Sequence, residues 1–238
     1  MPAMPLVYAH RGGAALRPEN TIEAFDHGLD CGADGLEFDV HLSSDNVVVV
    51  HHDDTLDRTT NGRGRLADRT AAELAEYRVP TLGEVLDRYP GIPIIVELKV
   101  DSVDLVRRVI DLLRRHDAIG RAALGSFYSA PLIEARAAEP ALKTGASKEE
   151  TRWALYRSWV RWPLSRVPYA EFQVPERLGL TKIVSPTFIK YAHKAKLAVK
   201  VWTVNEADDM RRLLDWGVDA LITDRPDLAV RIVRERSS

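Results

Sequence analysis

The sequence predicts an α/β chain folded as a (β/α)8 TIM barrel, with a β-hairpin extension after the second strand. Three observations lead there. The chain has 238 residues, near the roughly 250 that one such barrel uses. Short apolar runs alternate with helix-like stretches along its whole length, the pattern of βα units around a parallel sheet. The runs that fit the alternation number eight. An open doubly wound sheet usually has fewer strands, and no Gly-x-Gly-x-x-Gly follows the first run. No low-complexity linker divides the chain, so residues 1–238 read as one domain.

The elements follow in order. Leu6–Ala9 is the first strand and Thr21–Cys31 the first helix. Asn20, with Glu23 three residues on, reads as the N-cap of that helix and its reciprocal partner. Gly35–Leu42 is the second strand. Val47–His51 breaks the alternation, because Ser43-Ser44-Asp45-Asn46 is too short for a parallel crossover. It is read as an antiparallel return that brings His51 and His52 back to the barrel mouth. Thr81–Tyr89 is helical and Ile92–Lys99 is the third strand. Ser102–His116 and Ala130–Ala138 are helices around the fourth strand, Ala122–Phe127. Leu142–Ala146 and Ala170–Val174 are the fifth and sixth strands. Thr187–Lys196, Val199–Val204, Ala207–Trp216, Ala220–Thr223 and Asp227–Arg236 complete the alternation, with Gly217 as a helix stop.

Composition excludes several classes. Thirty-three Lys+Arg against thirty-five Asp+Glu leave a net charge of -2, which argues against a nucleic-acid binder. No apolar run approaches the roughly 18 residues of a membrane span. Cys31 is the single cysteine, so neither an intrachain disulfide nor a Cys-rich zinc site can form. Met1 to Leu6 lacks a basic stretch followed by an apolar core, and the cytoplasm is the expected compartment.

Strand parity points to the chemistry. In the second strand, Leu36, Phe38, Val40 and Leu42 share one face and Glu37, Asp39 and His41 the other. Two inward carboxylates repel each other and are costly to desolvate. They are either a solvated strand end or a cation site. Glu97 adds a third inward acid on the next strand, and three oxygen donors without thiolates suit Mg²⁺ or Ca²⁺. Lys99 shares its face, as an ion-pair partner of Glu97 or Asp39 or as a contact for an anionic substrate. His10-Arg11-Gly12-Gly13 ends the first strand, where barrel active sites sit, and Arg11 offers a planar fork for phosphate oxygens. His52-Asp53-Asp54 follows the hairpin. Imidazoles ordinarily titrate near neutrality, so a pair of them, His10 and His52, can act as base and acid in one reaction. His41 and His51 read as hydrogen-bonded rim residues.

With these residues the sequence resembles the glycerophosphodiester phosphodiesterase family. The matching motifs are His10-Arg11-Gly12, Pro18-Glu19-Asn20-Thr21, Glu37-Phe38-Asp39 and His52-Asp53 with Thr55 to Gly62. Pro80 to Leu86, Glu97-Leu98-Lys99, Val201 to Asn205 and Ile222 to Pro226 match as well. The resemblance implies a barrel related to the phosphoinositide-type phospholipases C. It implies hydrolysis of small-molecule glycerophosphodiesters to sn-glycerol 3-phosphate and an alcohol with one divalent cation, Mg²⁺ or Ca²⁺. Carried over, His10 and His52 match the acid–base pair, and Glu37, Asp39 and Glu97 the metal ligands. Arg11 and Lys99 match the phosphate contacts. Trp202 matches an aromatic near the glycerol end, with core packing as its alternative.

Two segments depart from the family pattern. Asp54 to Val79 is short, which makes a shallow cap. Thr151–Ala170 holds three of the five Trp and four Arg, with no Lys, Asp or Glu. Its Trp rings pack on the barrel from an amphipathic helix, form a lid over a lipid-like substrate, or touch a membrane. The last two readings support the rival activity, a lysophospholipase D using the same site. A sphingomyelinase-D-like enzyme is disfavoured by the lone Cys31. A silent phosphate-binding barrel is disfavoured by the complete set of His and carboxylates. A zinc amidohydrolase is disfavoured by His10-Arg11-Gly12 where His-x-His belongs.

Overall fold

The computed structural model describes residues 4–236. The strands and helices alternate as β1 Leu6–His10, α1 Ile22–Asp30, β2 Gly35–Leu42, β3 Val48–Val50, α2 Ala71–Ala75, α3 Leu82–Arg88 and β4 Ile94–Leu98. Then come α4 Val103–Arg115, β5 Ala122–Gly125, α5 Ser129–Ala138, β6 Lys143–Thr144, α6 Lys148–Trp159 and β7 Glu171–Pro175. The last are β8 Arg177–Leu178, β9 Thr181–Lys182, α7 Pro186–Lys194, β10 Ala198–Trp202, α8 Ala207–Trp216, β11 Ala220–Thr223 and α9 Pro226–Glu235. Eight strands pair in the order β6-β5-β4-β2-β1-β11-β10-β7, and every pairing along that path is parallel. A bridge between Gly145 and Glu171 joins β6 to β7, so the eight form a nearly closed barrel.

Strand alternation divides the side chains between two layers. Leu36, Phe38 and Val40 of β2 and Ile94, Val96 and Leu98 of β4 face outward into one core, under α1, α3, α4 and α5. A second outer core gathers Phe172, Val174, Val199 and Val201 with Phe188 and Met210, under α7, α8 and α9. α4 shows why these helices form: Ser102 caps it through Leu105 N–H, and Leu105, Val106, Val109, Ile110 and Leu113 recur on its buried face. Inside the barrel, Tyr8, Ile95, Ala220 and Ile222 make a small apolar plug. Beside it the buried Lys200 pairs with Glu171 at 2.8 Å. This plug floors the mouth where the site lies.

The hairpin is as the sequence predicts. β3 runs antiparallel to β2, with Val40 opposite Val50 and Leu42 opposite Val48. The chain beyond it folds on Val49, Leu56, Leu66, Leu74 and Val79, a satellite core of its own. Gly217 ends α8 with φ of 89°, the left-handed conformation that glycine adopts without strain.

Three local readings differ. Asn20 is not the cap of α1: Thr21 is, accepting from Ala24 N–H. Asn20 has φ of 57° and its side chain turns into the barrel instead. The β8–β9 hairpin, joined by antiparallel pairing of Arg177 with Lys182, was not predicted, nor was α2. The third difference is in α6. Its buried positions are Thr151, Ala154, Leu155 and Ser158, spaced three and four residues apart. That phase puts Leu155 and three small residues inward and turns Trp153 and Trp159 outward, 65% and 60% exposed. The Trp rings therefore do not pack on the barrel.

Candidate active site

Parallel register assembles the site at the strand ends. His10 lies opposite Glu37, Asp39 opposite Glu97, and Glu97 opposite Gly125. The turn after β3 adds His52. All eight residues singled out in the sequence, His10, Arg11, Glu37, Asp39, His52, Glu97, Lys99 and Trp202, line one cavity of about 440 Å³. His41 and His51 do not line it. They bond to the His52 and Thr55 carbonyls, at 3.1 Å each, and burial pulls both imidazoles below the usual histidine pKa.

Each cavity histidine is oriented by an acid. His10 Nδ1 lies 2.6 Å from Asp224 Oδ1, and His52 Nδ1 lies 2.5 Å from Asp53 Oδ1. Fixing Nδ1 in this way defines the tautomer and leaves Nε2 for chemistry. Burial depresses the His10 pKa, but the Glu37 charge and the Asp224 hydrogen bond outweigh it and hold it above the usual value. Asp224 is itself held by Asn205 Nδ2 at 2.7 Å. Asp53 accepts from Arg58 at 2.6 Å, and Arg58 keeps its carboxyl far below the usual range.

The carboxylates are unequally served. Asp39 accepts from Asn20 Nδ2 at 3.0 Å and has Lys99 Nζ at 3.5 Å. The sequence alternative of an Asp39–Lys99 ion pair is thus realised. Glu37 has the Arg11 backbone N–H at 3.2 Å. Glu97 has no hydrogen bond to its carboxylate among those of the described residues. Burial and the Asp39 charge push Glu37 up to about 7, against the pull of His10. Glu97 keeps some exposure to the cavity, yet burial pushes it up to about 8, with Asp39 and Glu37 adding to the effect. Three acids with so little compensating charge suit a divalent cation in donor chemistry and charge. Among the described residues no three such groups are already gathered as a finished cage, so the fit lies in the donors rather than in a preformed geometry. Space supports the same reading. A Cβ on Gly125 would lie 2.2 Å from Glu97 Oε2, so only glycine leaves the carboxylate free there.

Arg11 shows what kind of ligand belongs beside the acids. Its Nη1 bonds Glu19 at 3.0 Å. Its Nε is 3.2 Å from Asp39 Oδ2 but out of line, and this buried N–H has no hydrogen-bond partner. An anionic oxygen would satisfy it. Trp202 is half-buried, packs edge-on against Phe127 with centroids 5.9 Å apart, and both lines the cavity and rests on the apolar plug, so the glycerol-contact and packing readings both remain open.

The sequence reading gives no role to Glu19, Asp53, Arg58, Asn205 and Asp224, and gives Asn20 only that of a helix cap. They form the layer that holds the others, and Arg58 joins Asp53 to Glu19 at 2.7 Å. All lie inside motifs quoted above, so position in a motif was the available signal.

The comparisons with known proteins agree with this site. The model of the "Glycerophosphoryl diester phosphodiesterase family" matches residues 10–228. The chain is 31% identical to a glycerophosphodiester phosphodiesterase of Caldanaerobacter subterraneus, over 97% of this chain and 98% of that one. The structure of a glycerophosphodiester phosphodiesterase from Agrobacterium tumefaciens superposes with a TM-score of 0.80 at 25% identity, covering 99% and 100% of the two chains. A phosphodiesterase from Oleispira antarctica, solved with the product sn-glycerol-3-phosphate, superposes with a TM-score of 0.79 at 25% identity, covering 97% of each. With paired histidines and carboxylates at the mouth of the same barrel, the chain belongs to the glycerophosphoryl diester phosphodiesterase family and is a hydrolase.

Proposed function

We propose that this chain, acting as one domain, hydrolyses glycerophosphodiesters to sn-glycerol 3-phosphate and an alcohol. His10 and His52 are the acid–base pair, and Glu37, Asp39 and Glu97 hold one divalent cation, Mg²⁺ or Ca²⁺. The observation that carries the reading is the shared cavity. In it two acid-oriented imidazoles sit beside under-neutralised carboxylates and an orphaned Arg11 N–H. The product bound to the Oleispira relative is of the same class.

In this mechanism one imidazole accepts the proton of the attacking hydroxyl, from water or from the glycerol moiety. The other donates a proton to the departing alkoxide as its P–O bond breaks, and where the glycerol hydroxyl attacks, the same pair then adds water to open the resulting cyclic phosphate to sn-glycerol 3-phosphate. Arg11 and Lys99 bind the non-bridging oxygens, and Asp53 and Asp224 hold the imidazoles against rotation. A bound cation supplies positive charge to the phosphoryl oxygens. Trp202 and Phe127 wall the glycerol side.

The test is release of glycerol 3-phosphate from glycerophosphocholine and glycerophosphoethanolamine, with Mg²⁺, with Ca²⁺ and with EDTA. Release that survives EDTA after dialysis removes the cation from the reading; no release with any cation removes the activity. A second reading, lysophospholipase D, has one observation in its favour. The far wall of the cavity is apolar, formed by Leu155, Tyr156, Trp159, Leu178 and Ile183. Choline release from lysophosphatidylcholine, without release of glycerol 3-phosphate from the soluble diesters, would select it.

A further inference from the structure

The far rim of the cavity is built against the usual rule for a surface. α6 buries Ala154 and Leu155 and exposes Trp153, Tyr156 and Trp159. The chain beyond it is anchored rather than loose: Leu164 and Val167 pack on the core, and the Trp162 carbonyl accepts from Tyr191 Oη. Even so Val160 and Trp162 remain 72% and 64% exposed. The β8–β9 hairpin stands across the same mouth, since Leu178 and Thr181 line the cavity together with Tyr156 and Trp159. At its tip Leu180 is fully exposed. No helix of the described residues is long and apolar enough to cross a membrane, so these groups do not belong to a span. Clustered exposed apolar groups of this kind mark a binding surface.

Charge tells what binds there. From the start of α6, residues 148–170 and 177–182 carry seven Arg or Lys against two acids, Glu149 and Glu150, which bond Ser129 and Arg136, in a chain whose net charge is -2. Arg152, Arg157, Arg161, Arg166 and Arg177 are exposed, and none is held in an ion pair among the described residues. Aromatic rings with an apolar body and a polar edge settle at the headgroup level of a bilayer, and arginines reach lipid phosphates. A second copy of this chain would set the same cationic surface against itself. We propose that α6, the segment after it and the β8–β9 hairpin form a docking surface for an anionic lipid bilayer. Docking turns the cavity mouth toward the membrane. The inference rests on the rim alone and holds whichever diester the site cleaves.

The test is co-sedimentation with vesicles of phosphatidylglycerol and phosphatidylcholine, and of phosphatidylcholine alone. The full chain is expected to sediment with the anionic vesicles at about 50 mM salt and to be released near 300 mM, where screening is short-ranged. Two variants separate the contributions. Trp162→Glu/Leu180→Glu alters exposed residues outside the cavity lining, and Arg157→Glu/Arg161→Glu reverses charge. Each is expected to weaken vesicle binding by at least about tenfold, with an unchanged circular-dichroism spectrum and unchanged turnover of soluble glycerophosphocholine. Wild type that stays in the supernatant with anionic vesicles at low salt overturns the proposal. So do variants that bind as tightly as wild type. A concentration-dependent dimer that the same substitutions dissolve assigns the surface to a second copy instead.

Discussion

The arc of the mouth made by β1, β2, β3 and β4 is charged and its imidazoles are braced from within, whereas the arc made by α6 and the β8–β9 hairpin is aromatic and faces water. In the first arc a chain of side chains braces the two imidazoles: His10 by Asp224, His52 by Asp53, Asp53 by Arg58, Arg58 by Glu19. Such a chain fixes positions before any ligand arrives, which is what acid–base chemistry needs. In the second arc the helix is anchored by Leu155 and three small residues, and its large rings stand exposed. Among the described residues nothing covers those rings, and the proposed bilayer supplies their complement. One arc is built for chemistry and the other for presentation.

If that division holds, substitutions in the two arcs must separate turnover from vesicle binding. The largest effect is in the charged arc. His10→Ala and His52→Ala each lose the proton relay, and kcat/KM for glycerophosphocholine falls by about 10³. Vesicle sedimentation of both variants matches wild type. A His52→Ala enzyme with near-normal turnover would remove His52 from the mechanism and break the comparison at its first arc.

The next effect concerns the cation. In Gly125→Ala the new methyl must displace the Glu97 carboxylate, because only 2.2 Å separates them. Glu97→Gln removes its charge outright. Both variants are expected to need about 10–100 times more Mg²⁺ or Ca²⁺ for half-maximal activity. The rise in thermal midpoint that the wild type shows on adding the cation shrinks in parallel. Identical cation titrations for wild type and both variants would place the metal elsewhere.

How much of this was legible in the sequence depends on where each residue's information lies. Parity in Gly35–Leu42 and Ile92–Lys99 fixed which face Glu37, Asp39 and Glu97 share, because alternation is a local property. The β2–β3 return was legible because a short turn cannot hold a crossover. The supporting layer was not. Asn20 and Thr21 are both good caps in adjacent positions, and only the tertiary fold decides that Thr21 caps while Asn20 reaches Asp39. Asp224 is far from His10 in sequence, and only closure of β1 against β11 joins them. The β8–β9 hairpin gives no periodicity, having two-residue strands with exposed side chains. The outward phase of α6 was readable in principle from its capping box, Ser147 with Glu150. Once the start of a helix is fixed, its faces follow.

A smaller effect belongs to that hidden layer. Asn20→Ala strips a buried partner from Asp39 Oδ2, and the cost is about 1–3 kcal/mol in unfolding free energy. Turnover falls as well, since Asp39 is then held by Lys99 and Arg11 alone. Asn20→Asp sets a second carboxylate against Asp39, so it does worse than alanine if the hydrogen bond is what counts. Equal stability of Asn20→Asp and wild type in urea unfolding would show that Asn20 only fills space.

The smallest expected effect is the sharpest test of the second arc. Trp153 is 65% exposed, and its ring meets Tyr156 edge-on at 6.4 Å between centroids. Removing an exposed ring leaves no cavity, so Trp153→Gln should shift the unfolding free energy by no more than about 0.5 kcal/mol and leave turnover of soluble diesters intact. Leu155, buried on the opposite face of the same helix, is the built-in contrast, because its truncation opens the core. A surface aromatic with no structural duty is a standing risk for aggregation, a risk that the proposed docking would remove by covering the rings. If Trp153→Gln unfolds as readily as Leu155→Ala, the rings pack on the barrel after all. The two arcs then differ only in composition, not in purpose.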